Sequence, residues 1–107
     1  MAEETLVVLS TFGSAEEARR VGAQLVEERL AACVNLLPAV ESIYRWKGAI
    51  ESATETMAFF NTNIDRYYQL EARLKELHSY EVPEIVALRV HAGFIPYLRW
   101  VDDSCRS

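Results

Sequence analysis

Glycine and proline are scarce in this chain of 107 residues, with four Gly and three Pro, and nothing in it reads as a linker or a low-complexity segment. Histidine and cysteine are scarcer, two of each. Cys33 and Cys105 form no CxxC pair, which excludes a zinc knuckle and a dithiol redox motif. A reducing compartment suits them, with Cys33 a small residue in an apolar run; one disulfide between the two is the alternative. Basic charge is in deficit. With 11 Lys+Arg against 16 Asp+Glu the net charge is −5, which gives no electrostatic footprint for nucleic acid. No apolar stretch approaches the roughly 20 residues that cross a bilayer. Met1-Ala2-Glu3-Glu4 is acidic where a signal peptide is basic. A cytoplasmic protein with neither a nucleic-acid nor a membrane partner is expected. Signatures of catalysis are missing as well: GxSxG, HExxH, the P-loop and GxGxxG do not occur.

What is present is an ordinary globular balance, 50% hydrophobic and 25% charged, at a length that suits one core. A single domain over residues 1–107 is expected. Thr5 to Phe12 is a β-branched and aromatic run stopped by Gly13, and reads as a buried strand. Ser14 then has the pattern of an N-cap, with Glu17 closing a capping box and an apolar stripe from Ala15 to Val26 predicting a helix to about Arg29. Cys33 to Trp46 is strand-like but contains Pro38, which demands a bend, an edge or a bulge. Lys47-Gly48 makes a turn, and Ile50 to Asn61 returns as a second long strand. A hairpin with arms of roughly ten residues, against about five for an ordinary strand, overhangs a small domain. Asp65 is the expected cap of a second helix carrying Leu70, Leu74 and Leu77, with His78 in its last turn. Ile85 to Val90 predicts a fourth strand, and Pro96 opens a short last helix through Trp100.

Strand, helix, strand, then strand, helix, strand is the split βαβ order. The predicted class is α+β: a ferredoxin-like βαββαβ fold with a four-stranded antiparallel sheet, a long hairpin between its second and third strands, and a short C-terminal helix. Helices on one face leave the other bare, so the last helix or a partner subunit must cover it.

Two stretches are dense in chemistry. His78-Ser79-Tyr80-Glu81-Val82-Pro83-Glu84 packs an imidazole, a phenol and two carboxylates into one connection, all of them ligand types for divalent cations. As a plain connector it is a solvated turn stiffened by Pro83, with His78 a cationic helix cap and His91 a surface residue. Ile43-Tyr44-Arg45-Trp46-Lys47-Gly48 places two aromatics and two cations at a hairpin tip, a composition that suits a protein contact.

Those stretches, together with Glu28-Arg29-Leu30-Ala31-Ala32-Cys33-Val34-Asn35, resemble the CutA family of divalent-cation tolerance proteins, over about Leu6 to Trp100. The resemblance implies a compact homotrimer, similar in architecture to PII-type signalling proteins, associated with tolerance of copper and other divalent metals and carrying no established enzymatic activity. It makes His78 the candidate metal ligand. Cys33, Asn35, Trp46, Glu55, Tyr80 and Glu84 match the family pattern and become candidates for an inter-subunit ligand cleft. The departures are informative. Ser10 and Leu77 stand where some members carry Cys and a second His, Ser79 replaces a Pro, and Asn61 replaces a frequent Lys. Without a thiolate the soft ligand that favours copper is gone, so weak copper binding is expected. The leading expectation is a non-enzymatic trimer binding a divalent metal weakly, or a small ligand, at subunit clefts. A trimeric scaffold or PII-like signalling module with incidental metal binding is the alternative. A cryptic enzyme using Glu55 or Glu84 as general base is the third.

Overall fold

A computed structural model describes residues 4–106. The run Thr5–Phe12 forms strand β1, and Ala15–Glu27 the helix α1. Ser14 caps α1, its Oγ accepting from the Glu17 amide at 3.1 Å. The capping box is only half closed, because the Glu17 carboxylate turns away to Ser79, whose amide and hydroxyl both donate to it at 2.9 and 3.0 Å. Strand β2, Cys33–Trp46, and strand β3, Ala49–Asn63, make the long hairpin. Lys47 and Gly48 join them with φ of 50° and 83°, the two left-handed residues of a tight primed turn.

Helix α2 spans Ile64–Leu77, and its cap is Asn63 rather than the expected Asp65: Asn63 Oδ1 accepts from the Arg66 amide at 3.0 Å. Asp65 instead sits in the first turn, where a carboxylate suits the helix dipole. Strand β4 is shorter than predicted, Val86–Arg89, and helix α3 is longer, Ile95–Ser104 with Pro96 in its first turn. Both cysteines are free thiols.

The four strands lie in the order β2-β3-β1-β4, every neighbouring pair antiparallel, as the ferredoxin-like class requires. Pairing fixes the faces. Val8 opposes Phe60 and Ser10 opposes Ala58, so the even-numbered residues of β1 and β3 share one face. On that face Val8, Phe12, Ala58 and Phe60 pack against Val21 and Leu25 of α1 and Leu70 and Leu74 of α2. Gly22 lets α1 close onto the sheet, since a Cβ there would stand 2.8 Å from Val34 Cγ1. At the outer ends of the helices Arg73 grips Glu28 through Nε and Nη2, at 3.0 and 2.9 Å. This hydrogen bonding holds the Glu28 carboxyl below the ordinary carboxylate range.

The opposite face is covered only in part. Helix α3 sits at one end of the molecule, where Val101 and Cys105 pack on Ala32 and Asp102 takes the Asn63 side chain at 2.9 Å. Further along, Leu37, Val86 and Leu88 remain 54, 46 and 53% exposed. The hairpin carries the molecule to 47 Å in its long dimension against 25 and 21 Å in the others.

One polar atom breaks the rules of the core. Ser10 Oγ is buried with no hydrogen-bond partner among the described residues. An unsatisfied buried hydroxyl is a net cost, so Ser10→Ala is expected to raise unfolding free energy by about 1 kcal/mol. Urea denaturation at matched chain concentration checks it; a loss of stability would mean that the hydroxyl has a partner.

Candidate functional site

The site begins at an irregularity in β2. Leu37 pairs with Met57 and Val40 with Glu55, so Pro38 and Ala39 together oppose the single residue Thr56. This is a β-bulge, with Ala39 at φ 63°, and it answers the problem that Pro38 posed. Its consequence is a change of parity. Before the bulge, odd residues of β2 share a face with Met57 and Phe59; after it, Val40, Ser42, Tyr44 and Trp46 share that face with Glu55, Ala53, Glu51 and Ala49. Without the extra residue, Glu41, Ile43 and Arg45 would take those places.

The second wall is the connection after α2. His78 is buried and stacked on Phe12, ring centroids 4.4 Å apart. Its Nδ1 accepts from the Tyr80 amide at 3.1 Å, which leaves Nε2–H to donate to the Thr11 carbonyl at 2.8 Å. Tyr80 is thereby swung against the hairpin, and its hydroxyl donates to Glu55 Oε2 at 2.6 Å. Burial first, and then the Glu55 carboxylate, push the Tyr80 phenol above the usual tyrosine range.

Between these walls lies a cleft of about 660 Å³, lined from the hairpin by Ser42, Ile43, Tyr44, Trp46, Glu51 and Glu55, from β1 by Thr11, and from the connection by Tyr80, Glu81, Val82 and Glu84. Four expected residues meet here: Trp46, Glu55, Tyr80 and Glu84. Cys33 and Asn35 do not. Cys33 lies near α3, its Sγ accepting from Asn61 Nδ2 at 2.9 Å and standing 3.6 Å from the Tyr97 hydroxyl. Asn35 pairs with Phe59 on the same sheet face, before the bulge. The thiol contact and burial raise the Tyr97 phenol above its ordinary value. His78 lies behind the cleft, with both ring nitrogens bonded within the chain. His91 is exposed, as a surface residue should be. Glu51 was not anticipated, although its spacing of four from Glu55 on one strand puts the two on a common face.

Fold and cleft define a class: a ferredoxin-like α+β protein whose overlong hairpin forms one wall of an acidic, aromatic cleft. The family model described as CutA1 divalent ion tolerance protein matches residues 6–104, and the chain belongs to that family. The divalent-cation tolerance protein CutA of Thermus thermophilus is 46% identical over 98 residues, 92% of this chain and 95% of that protein. The chloroplastic CutA 1 of Oryza sativa is 34% identical over 95% of this chain, but the match spans only 58% of that longer protein. The solved structure of the periplasmic divalent cation tolerance protein CutA from Archaeoglobus fulgidus superposes with a TM-score of 0.92, at 34% identity over 95% of this chain and 99% of that one.

Removing the Tyr80 hydroxyl strands a buried carboxylate oxygen. Tyr80→Phe is therefore expected to lower stability by about 1–3 kcal/mol in denaturant titration. The pH dependence has a definite sign. A phenol raised in the folded state contributes stability that is intact below about pH 10, where an unfolded tyrosine ionises, and is lost as pH climbs further. Melting temperature should fall more steeply above pH 10 in the parent chain than in Tyr80→Phe; parallel curves would contradict the Tyr80–Glu55 linkage.

Proposed function

We propose that this chain acts as a non-enzymatic cytoplasmic homotrimer in divalent-cation tolerance, with the cleft as its ligand site. One observation carries the reading: Glu51, Glu55, Glu81 and Glu84 surround a single cavity that, among the described residues, no Lys or Arg lines. Relatives bear the name of divalent-cation tolerance proteins rather than of enzymes. No helix among the described residues is long and apolar enough to cross a membrane.

The donors suit a diffuse association with cations better than a fixed metal shell. Among the described residues no three of His, Cys, Asp and Glu converge as a metal-binding group. The cleft offers carboxylate, phenol and hydroxyl oxygens, which are hard ligands, and no thiol or free imidazole. His78 would join a metal only by giving up Thr11 or Tyr80. Copper binding is accordingly weak in this reading. Calorimetric titration with Cu²⁺ should give micromolar affinity or weaker, and His78→Gln should reduce stability more than affinity; nanomolar binding abolished by His78→Gln would overturn this.

Support for the trimer comes from uncovered apolar surface. Leu37, Val86 and Leu88 line the open sheet face, and Ile43, Ile50 and Trp46 stand on the overhanging hairpin. Trp46 is 39% exposed at the tip, with the Lys47 ammonium 5.8 Å from its ring centroid. Light scattering at micromolar concentration should return about three times the 12.2 kDa chain mass. Truncating an interface tryptophan costs about 2 kcal/mol or more per contact, so Trp46→Ala should dissociate the assembly while circular dichroism stays unchanged. A monomeric parent chain, or a Trp46→Ala variant that remains trimeric to the same dilution, would remove the basis for the hairpin contact.

A further inference from the structure

Glu55 is the anomaly of the cleft. It is only 8% exposed, yet no cation of the chain pairs with it among the described residues. Its Oε2 accepts from the neutral Tyr80 hydroxyl, while Oε1 accepts no hydrogen bond within the described chain. Oε1 is therefore the oxygen left open to the cleft, and a largely buried carboxylate with one open oxygen and no cationic neighbour favours a cationic ligand. The surroundings add charge of the same sign, from Glu51 on the same strand and from Glu81 and Glu84 across the cleft.

Two further features decide what kind of cation fits. The carboxylates do not gather within a coordination shell, so a point charge answers one of them and leaves the others. The cleft, about 660 Å³, has the volume of a small-molecule site rather than an ion site. Its walls also include Tyr44, Trp46, Tyr80 and Val82, which offer aromatic faces and apolar surface to carbon, not to a hydrated metal.

We propose that the cleft binds an aliphatic diamine or polyamine, with one ammonium on Glu55 Oε1, the methylene chain along the Tyr44 and Tyr80 rings, and a second ammonium at the Glu81–Glu84 side. This rests on the reading of the cleft as a ligand site and names the chemical class of its ligand. Two ammonium groups separated by methylenes answer separated carboxylates, and the chain between them buries apolar surface that a metal ion lacks. Selectivity for carbon spacing over bare charge follows.

The test compares 1,4-diaminobutane with MgCl₂, equal in charge, by isothermal titration of the full chain at constant ionic strength. The diamine is expected to bind at one site per chain and at least about tenfold more tightly than Mg²⁺, a difference of about 1.4 kcal/mol. Glu55→Gln should weaken the diamine by a further factor of about ten, on the scale of a lost charge-assisted contact. If that variant fails to fold, the exposed pair Glu81→Gln and Glu84→Gln carries the test, with an expected loss of about threefold or more from two solvent-facing charges. Mg²⁺ binding as tightly as the diamine, or diamine binding indifferent to the folded Glu→Gln variants, overturns the proposal. The two failures are distinguishable. If Mg²⁺ binding is lost in the Glu→Gln variants while the diamine does not bind, the ligand class is wrong and the cleft stands. If no variant alters either dication, the cleft reading falls with it.

Discussion

Two residues of β2 facing one residue of β3 are what the rest of the site depends on. A strand presents alternate side chains to opposite faces, so a hairpin arm keeps one parity unless a residue is inserted. The insertion at Pro38-Ala39 reverses that parity for the outer half of β2. Inside the bulge the arm contributes Val34 and Leu36 to the core; outside it, Tyr44 and Trp46 join Glu51 and Glu55 on a common face. A proline that removes a ladder donor and an alanine in a left-handed conformation are both unfavourable in a regular strand. At a bulge both are accommodated, and the local change sets the composition of one wall of the cleft.

The other wall hangs on His78. Its ring is packed on Phe12 at the end of the central strand and bonded to both Thr11 and the Tyr80 amide. A helix that ends in this way delivers the following residues in a fixed direction. Glu17, released from its own capping box, secures Ser79 from the side of α1. The connection is thus tied to strand and helix before Tyr80 reaches Glu55, and the phenol–carboxylate contact closes the cleft at its base. His78, the candidate metal ligand of the sequence, is also a structural pivot for the site.

Charge and apolar surface are distributed to different purposes. The cations near the ends of the helices are matched locally, as Arg73 is by Glu28 and Glu76. In the cleft, among the described residues, Glu55 takes its one hydrogen bond from the Tyr80 phenol and pairs with no cation. Carboxylates and aromatic rings thus share the lining of one cavity. Apolar side chains are exposed in rows elsewhere, on the open sheet face and the hairpin.

Periodicity and capping chemistry made the architecture legible. The bounds of β1 and β2, the Ser14 cap and the Lys47-Gly48 turn can be read from local residue types, because those elements are governed by contacts within a few residues. The α2 cap was misplaced from Asn63 to Asp65 for a physical reason: Asn63 also ends β3, and strand and cap cannot be separated by pattern alone where one residue serves both. Of the cleft, Trp46, Glu55, Tyr80 and Glu84 were recognisable as chemistry in the right segments, while Cys33 and Asn35 belonged to the same pattern and fall elsewhere. Residue type could announce that Pro38 disturbs a strand; it could not say that the disturbance is one inserted residue. Only pairing across strands counts residues against one another. That count decided which side chains of the hairpin face the cleft, and packing of the His78 ring decided that Tyr80 meets them there.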